Sequence, residues 1–108
     1  MEYIKIKPLS VNQVWAGRRF KTVAYKDYEK SLSYLLPKEL PLIIGKLKLD
    51  ICFGLSSKSG DIDNPVKPFI DILQKKYNFN DKNIYELLVK KQDVKKGEEF
   101  IKFEFKTI

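Results

Sequence analysis

An α+β domain with a mixed four-stranded sheet and two helices on one face is the fold class that the 108 residues predict. Three observations carry this. Apolar residues alternate with period two in four stretches, and they repeat with helical spacing in two others. The order reads β-α-β-α-β-β, which suits helices layered on one side of a sheet rather than a bundle or a sandwich. The length suits one domain, 1–108, with a single core.

The first strand is Glu2–Lys7. Ile4 and Ile6 face one way, Lys5 and Lys7 the other, and Pro8 closes it. Residues 8–22 read as an irregular basic loop in which Arg18, Arg19 and Lys21 are interleaved with Trp15 and Phe20. The cations suit phosphate contacts. The two aromatics are expected to plug the edge of the core; stacking on nucleic-acid bases is the other reading. Thr22 is placed to cap a helix over about 23–36, with Tyr25, Tyr28, Leu32, Leu35 and Leu36 as its apolar stripe and Pro37 beyond its end.

Residues 42–53 form the cleanest strand. Leu47, Leu49, Ile51 and Phe53 alternate with Lys46, Lys48, Asp50 and Cys52. A polar loop over 54–60 follows, where Lys58 and nearby backbone amides suit a phosphate. Asn64 is expected to cap a second helix, with Pro65 at its first position and its end near Lys76. Val66, Phe69, Ile70 and Leu73 make its buried stripe. After a turn at 77–80, residues 84–91 and 99–106 are expected to pair as a hairpin turning near Lys95-Lys96-Gly97.

Composition narrows the function. Twenty-one Lys and Arg against 14 Asp and Glu give a net charge of +7, which favours nucleic acid, an anionic surface or an acidic partner. The chain has no histidine, so Ser–His–Asp and Cys–His mechanisms are excluded. Cys52 is the single cysteine, which leaves no intrachain disulfide and suits a reducing compartment. No run of about 18 apolar residues and no apolar signal core occur, so a cytoplasmic location without a membrane partner is expected.

Against this basic background stands Asp61-Ile62-Asp63-Asn64-Pro65-Val66-Lys67, with Asp81 further on. Residues two apart in an extended segment share a side, so Asp61 and Asp63 are expected to aim at one point. Paired carboxylates repel unless a cation separates them, and hard oxygen ligands suit Mg2+ or Mn2+. Lys67 lies one helical turn beyond Asp63, near the expected carboxylate pair. Capping of the helix by the acids is the structural alternative, but a cap needs one acid and not three. Asp71, two turns beyond Asn64, is read as a structural hydrogen-bond partner.

The pattern Asp61-x-Asp63-Asn64-x-x-Lys67-x-x-x-Asp71-Ile72-Leu73 followed by Asp81 resembles the RusA family of Holliday junction resolvases. Pro8-Leu9-Ser10-Val11-Asn12 resembles the family's proline-serine-asparagine opening, so the likeness spans nearly the whole chain. Two positions depart from the pattern: the late acid pair is Asn80-Asp81, and Leu9 stands where many members have a second proline. The resemblance implies a Mg2+-dependent, homodimeric endonuclease of four-way DNA junctions, common on phages and prophages. It implies that Asp61, Asp63 and Asp81 hold the metal and that Lys67 joins them in catalysis. The DNA contacts would then come from Asn12, Arg18, Arg19, Lys21, Lys58, Lys75 and Lys76. Two other classes stay open: a non-catalytic branched-DNA-binding module, and a hydrolase of small phosphate compounds, which would need an enclosed pocket. The long second helix makes the return of Asp81 to Asp61 and Asp63 tight. Either the helix is shorter, or a neighbouring subunit completes the site, for instance by supplying Lys67.

Overall fold

The computed structural model describes residues 1–17, 20–40, 44–58 and 60–108. Its strands are β1 (Glu2–Ile4), β2 (Trp15–Ala16), β3 (Phe20–Lys21), β4 (Leu47–Leu55), β5 (Ile84–Asp93) and β6 (Phe100–Thr107). Its helices are α1 (Val23–Leu35) and α2 (Val66–Tyr77). The main sheet has the order β1-β6-β4-β5 and is mixed: β4 runs parallel to β5, while β6 is antiparallel to both β4 and β1. The predicted α+β class and four-stranded mixed sheet are therefore present.

The core explains the pattern. Leu47, Leu49, Ile51 and Phe53 on β4 are almost fully buried. Leu49, Ile51 and Phe53 cluster with Tyr25, Tyr28 and Leu32 of α1, Phe69, Ile72 and Leu73 of α2, and Ile101 and Phe103 of β6. Phe69 makes edge-to-face contacts with Phe53 and Phe103 at 6.0 and 5.3 Å, a geometry that the aromatic quadrupole favours. Thr22 caps α1 as expected, its hydroxyl accepting from the Tyr25 amide at 3.0 Å. Leu36 leaves the helix in an extended conformation, which the following Pro37 requires. Leu35, assigned to the buried stripe, is half exposed instead.

Several expected boundaries move. β1 ends at Ile4, although Ile6 still packs on the core. β4 begins at Leu47 and runs on through Leu55; Ile44 to Lys46 precede it as a bend, and the earlier part of the expected strand lies outside the described residues. Gly54 belongs to β4, paired with Gln92 and Phe100, and must be glycine because the Phe100 ring stands where a Cβ would.

The expected hairpin is not formed. β5 and β6 flank β4 on opposite sides instead of pairing with each other. The turn near Lys95 exists, with the Glu98 amide donating to the Lys95 carbonyl at 2.9 Å, but the segment carries the chain across the end of β4. The Val94 amide donates to the Leu55 carbonyl at 3.0 Å at that crossing. The physical reason is burial. β4 is apolar on one face along its whole length and gains most from a partner on each side. Among the described residues, no helix is long and apolar enough to cross a membrane.

Candidate functional site

The Asp61–Asn64 segment is a pair of overlapping turns, not an extended stretch. The Asn64 amide donates to the Asp61 carbonyl at 3.2 Å, and the Val66 amide to the Asp63 carbonyl at 3.1 Å. Same-side projection of Asp61 and Asp63 therefore does not follow from strand geometry, and both residues are exposed. Asn64 does not cap α2. Pro65 holds that position in a helical conformation with no side-chain cap. The Asn64 carbonyl instead accepts from the Val11 amide at 2.8 Å. That bond ties the Pro8–Asn12 opening to the Asp61–Asn64 turn.

Lys67 lies on the first turn of α2, and its ammonium reaches along the helix rather than toward Asp63. It pairs with Asp71 at 2.9 Å and Asp81 at 3.2 Å. The Asp71 hydrogen bond, with a smaller contribution from Asp81, raises the Lys67 pKa against partial desolvation and keeps the charge in place. Asp71 is thus the structural partner it was expected to be, and Gln74 Nε2 also donates to it at 3.4 Å.

Asp81 returns to Lys67 within one chain. Asn78 closes α2 in the left-handed conformation, at φ 54°. The Asn80 side chain then accepts from the Lys82 amide at 3.0 Å, and the short 3-10 turn Asp81–Asn83 leads into β5. The Asp81 amide donates to Gln74 Oε1 at 2.8 Å, which docks the turn against the middle of α2. A neighbour's lysine is not needed to meet Asp81.

Topology sets where the acids fall. β4, α2 and β5 form a β-α-β crossover between parallel strands, so the β4–α2 loop and the α2–β5 loop belong to opposite ends of the sheet. Asp61 and Asp63 sit on the first loop and Asp81 on the second, but the 78–81 turn folds back along α2 and brings the Asp81 carboxylate to the Lys67 ammonium on its first turn. Their carboxylate oxygens suit Mg2+ by type. Among the described residues, however, no three acidic or cysteine side chains gather to hold one ion.

Beside Asp61 lies a cleft of about 150 Å³ lined partly by Lys7, Ser10, Gln13, Ser56, Asn64 and Glu99. Glu99 is its buried carboxylate. It accepts from Ser56 Oγ and from the Gly97 amide, both at 2.8 Å. Its own backbone amide and then Ser56 hold its carboxyl below the ordinary 4.5. Sequence reading passed over Glu99 because an acid beside Gly97 at the start of a strand looks like a solvated turn residue.

The basic candidates divide. Trp15 and Phe20 do not plug the core: they are 50% and 73% exposed on the β2–β3 ribbon, with the Lys21 ammonium 4.2 Å from the Trp15 ring centre. A two-stranded ribbon this short has too little interior to cover them. Arg18 and Arg19, between its strands, lie outside the described residues. Asn12 and Lys58 are exposed. Lys75 is engaged with Glu29 at 2.7 Å and the Tyr25 hydroxyl at 3.3 Å, while Lys76 donates to the Ser33 carbonyl. Both bind α2 to α1. No protein-family model matches this sequence, and no curated protein matches it.

Proposed function

We propose that this chain is a homodimeric, Mg2+-dependent endonuclease of four-way DNA junctions, with Asp61, Asp63, Asp81 and Lys67 as its functional residues. The observation that supports this reading most is convergence. Segments far apart in sequence, and quoted above for separate reasons, touch in space: Val11 with Asn64 and Lys67 with Asp81. A Lys–Asp pair 14 residues apart is not a by-product of helix geometry, which brings together only residues three or four apart.

The chain's own groups have defined parts in this reading. Lys67 is the cation available to a scissile phosphate, which would compete with Asp71 and Asp81 for its ammonium. Bound Mg2+ would activate water and offset charge on the phosphate. The exposed Trp15 and Phe20 with Lys21 offer stacking and phosphate contact on one ribbon, which fits a nucleic-acid surface. A four-way junction has approximate two-fold symmetry, and paired cuts call for two symmetric sites, hence a C2 homodimer.

A second reading has an observation of its own. Lys67 is shared by Asp71 and Asp81, and no three acidic side chains gather among the described residues, which favours a non-catalytic branched-DNA-binding module. Incubation of a synthetic four-way junction with and without Mg2+ separates the two. The nuclease reading expects paired nicks only with Mg2+. Tight junction binding with no nicking under Mg2+ or Mn2+ would leave the binding module.

A further inference from the structure

We infer that the cleft beside Asp61 binds an unpaired guanine of a DNA strand, and that Glu99 reads its Watson–Crick edge. The fit of guanine to the cleft stands on the geometry alone; its place next to a cut rests on the nuclease reading.

Segments distant in sequence build this cleft. The opening of the chain at Lys7 to Gln13, the end of β4, the turn at Asp61 and the residue before β6 all line it. The bond from the Val11 amide to the Asn64 carbonyl joins two of these segments. The cleft's volume of about 150 Å³ is that of a cavity that takes benzene, so it admits one six-membered ring. Pro8, Leu55 and Pro65 give apolar walls for the faces of such a ring. Apolar walls with a few fixed polar groups are the usual make-up of a small-ligand site.

Glu99 selects the occupant. It is the buried charged residue among the described residues, at 8% exposure. A buried carboxylate is costly unless donors meet it. Ser56 Oγ donates to one of its oxygens and the Gly97 amide to the other, each at 2.8 Å. Those bonds fix the plane of the carboxylate and use one acceptor direction on each oxygen. A carboxylate has about four such directions, so each oxygen keeps one. The complement of two adjacent acceptors is two adjacent donors in one plane. Guanine presents that edge, with N1–H beside the N2 amino group. Adenine and cytosine set an amino donor beside a ring-nitrogen acceptor, and thymine sets one N–H between two carbonyl oxygens. Each of those edges would oppose an acceptor to a Glu99 oxygen, which leaves a buried group unpaired.

The remaining lining agrees. Guanine carries the O6 acceptor next to N1–H, and Lys7 lines the same cleft, with a cation suited to O6. The six-membered ring enters first, so the sugar and phosphate stay at the mouth, where Asp61 is exposed. The edge that Glu99 reads is occupied in a duplex, so the guanine must be unpaired and unstacked, as bases are when proteins read them by this edge. A purely structural Glu99, holding only the crossing from β5 to β6, would give no preference among bases.

Binding of labelled single-stranded oligonucleotides without metal tests this. An oligothymidine strand with one central dG is expected to bind at least about tenfold more tightly than the all-thymidine strand. It is also expected to bind about tenfold more tightly than the same strand with deoxyinosine, which lacks only the N2 amino group. Phosphate contacts are equal in the three strands and cancel. Glu99→Gln puts an amide donor against guanine's donors and is expected to erase the difference between the dG and deoxyinosine strands. The deoxyinosine comparison uses the unaltered protein, so it decides the matter even if the variant folds poorly. Free dGMP is expected to bind at least about tenfold more weakly than the dG strand, having lost the phosphate contacts made elsewhere. Equal affinity for the three strands, or a dG preference unchanged in folded Glu99→Gln, would overturn the inference. Free dGMP binding as tightly as the dG strand would overturn the assignment to a strand. These readouts need no cleavage: a protein that binds dG selectively but never cuts a junction loses only the nuclease reading, and one that cuts without a dG preference loses only the guanine cleft.

Discussion

β4 and β5 are parallel neighbours of similar length, and both carry apolar residues at alternating positions, yet their fates differ. On β4, Leu49, Ile51 and Phe53 are essentially inaccessible to solvent. On β5, in register beside them, Leu87 is half exposed. The same pattern therefore answers two questions. On β4 it builds the protomer's core. On β5, at the edge of the sheet, it leaves Leu87 and Leu88 exposed beside an unpaired ladder among the described residues. Periodicity identifies a strand but does not say which neighbour will cover it.

The largest expected effect lies on β4. Phe53→Ala removes a buried ring that meets Phe69 edge-on, and should destabilise the protein by about 3–5 kcal/mol through lost transfer energy and a cavity. Leu88→Ala on β5 should cost the dilute protomer less than about 0.5 kcal/mol, as for other exposed sites. If Leu88 lies in the interface of the proposed homodimer, the substitution should also raise the dimer dissociation constant. Denaturation at low and high protein concentration checks both. If Leu88→Ala destabilised the dilute protein as much as Phe53→Ala, the contrast between the strands would be wrong.

A smaller effect lies where the chain crosses from β5 over the end of β4. Glu99 holds that crossing by accepting from Ser56 and Gly97. Its folded-state pKa is lowered, so its contribution is present above its unfolded value and is lost as pH falls through the folded value, below 4.5. Tm should therefore fall between about pH 5 and pH 3, and less steeply in Glu99→Gln. Identical slopes for the two proteins would remove Glu99 from the crossing.

Much of this was legible in the sequence, for local reasons. Thr22 caps α1, and Leu47 to Phe53 alternate, because capping and period-two burial depend on near neighbours. The hairpin was misread because strand pairing is a non-local choice: two strands joined by a turn look adjacent, while β4 competes for both. The same holds for the site. Lys67 and Asp81 meet directly, but Asp71 shares the ammonium and Gln74 holds the Asp81 amide, and both parts depend on how the turn after Asn78 docks on α2. Trp15 and Phe20 looked like core because large aromatics usually are. Their exposure follows from a ribbon too small to bury them.

The proposed homodimeric nuclease, in the form where the acids of one protomer serve the Lys67–Asp81 pair of the other, is tested most directly by mixed dimers. Asp63→Asn and Lys67→Ala proteins are each expected to lose junction cleavage. After subunit exchange, a mixed dimer would carry one site with the intact Asp63 of one chain and the intact Lys67 of the other, and one site lacking both. The account predicts Mg2+-dependent nicking of a single strand, at up to half the wild-type rate per dimer, without paired resolution. No recovered nicking, with exchange confirmed and each parent folded, would place all four residues in one chain and contradict the shared site.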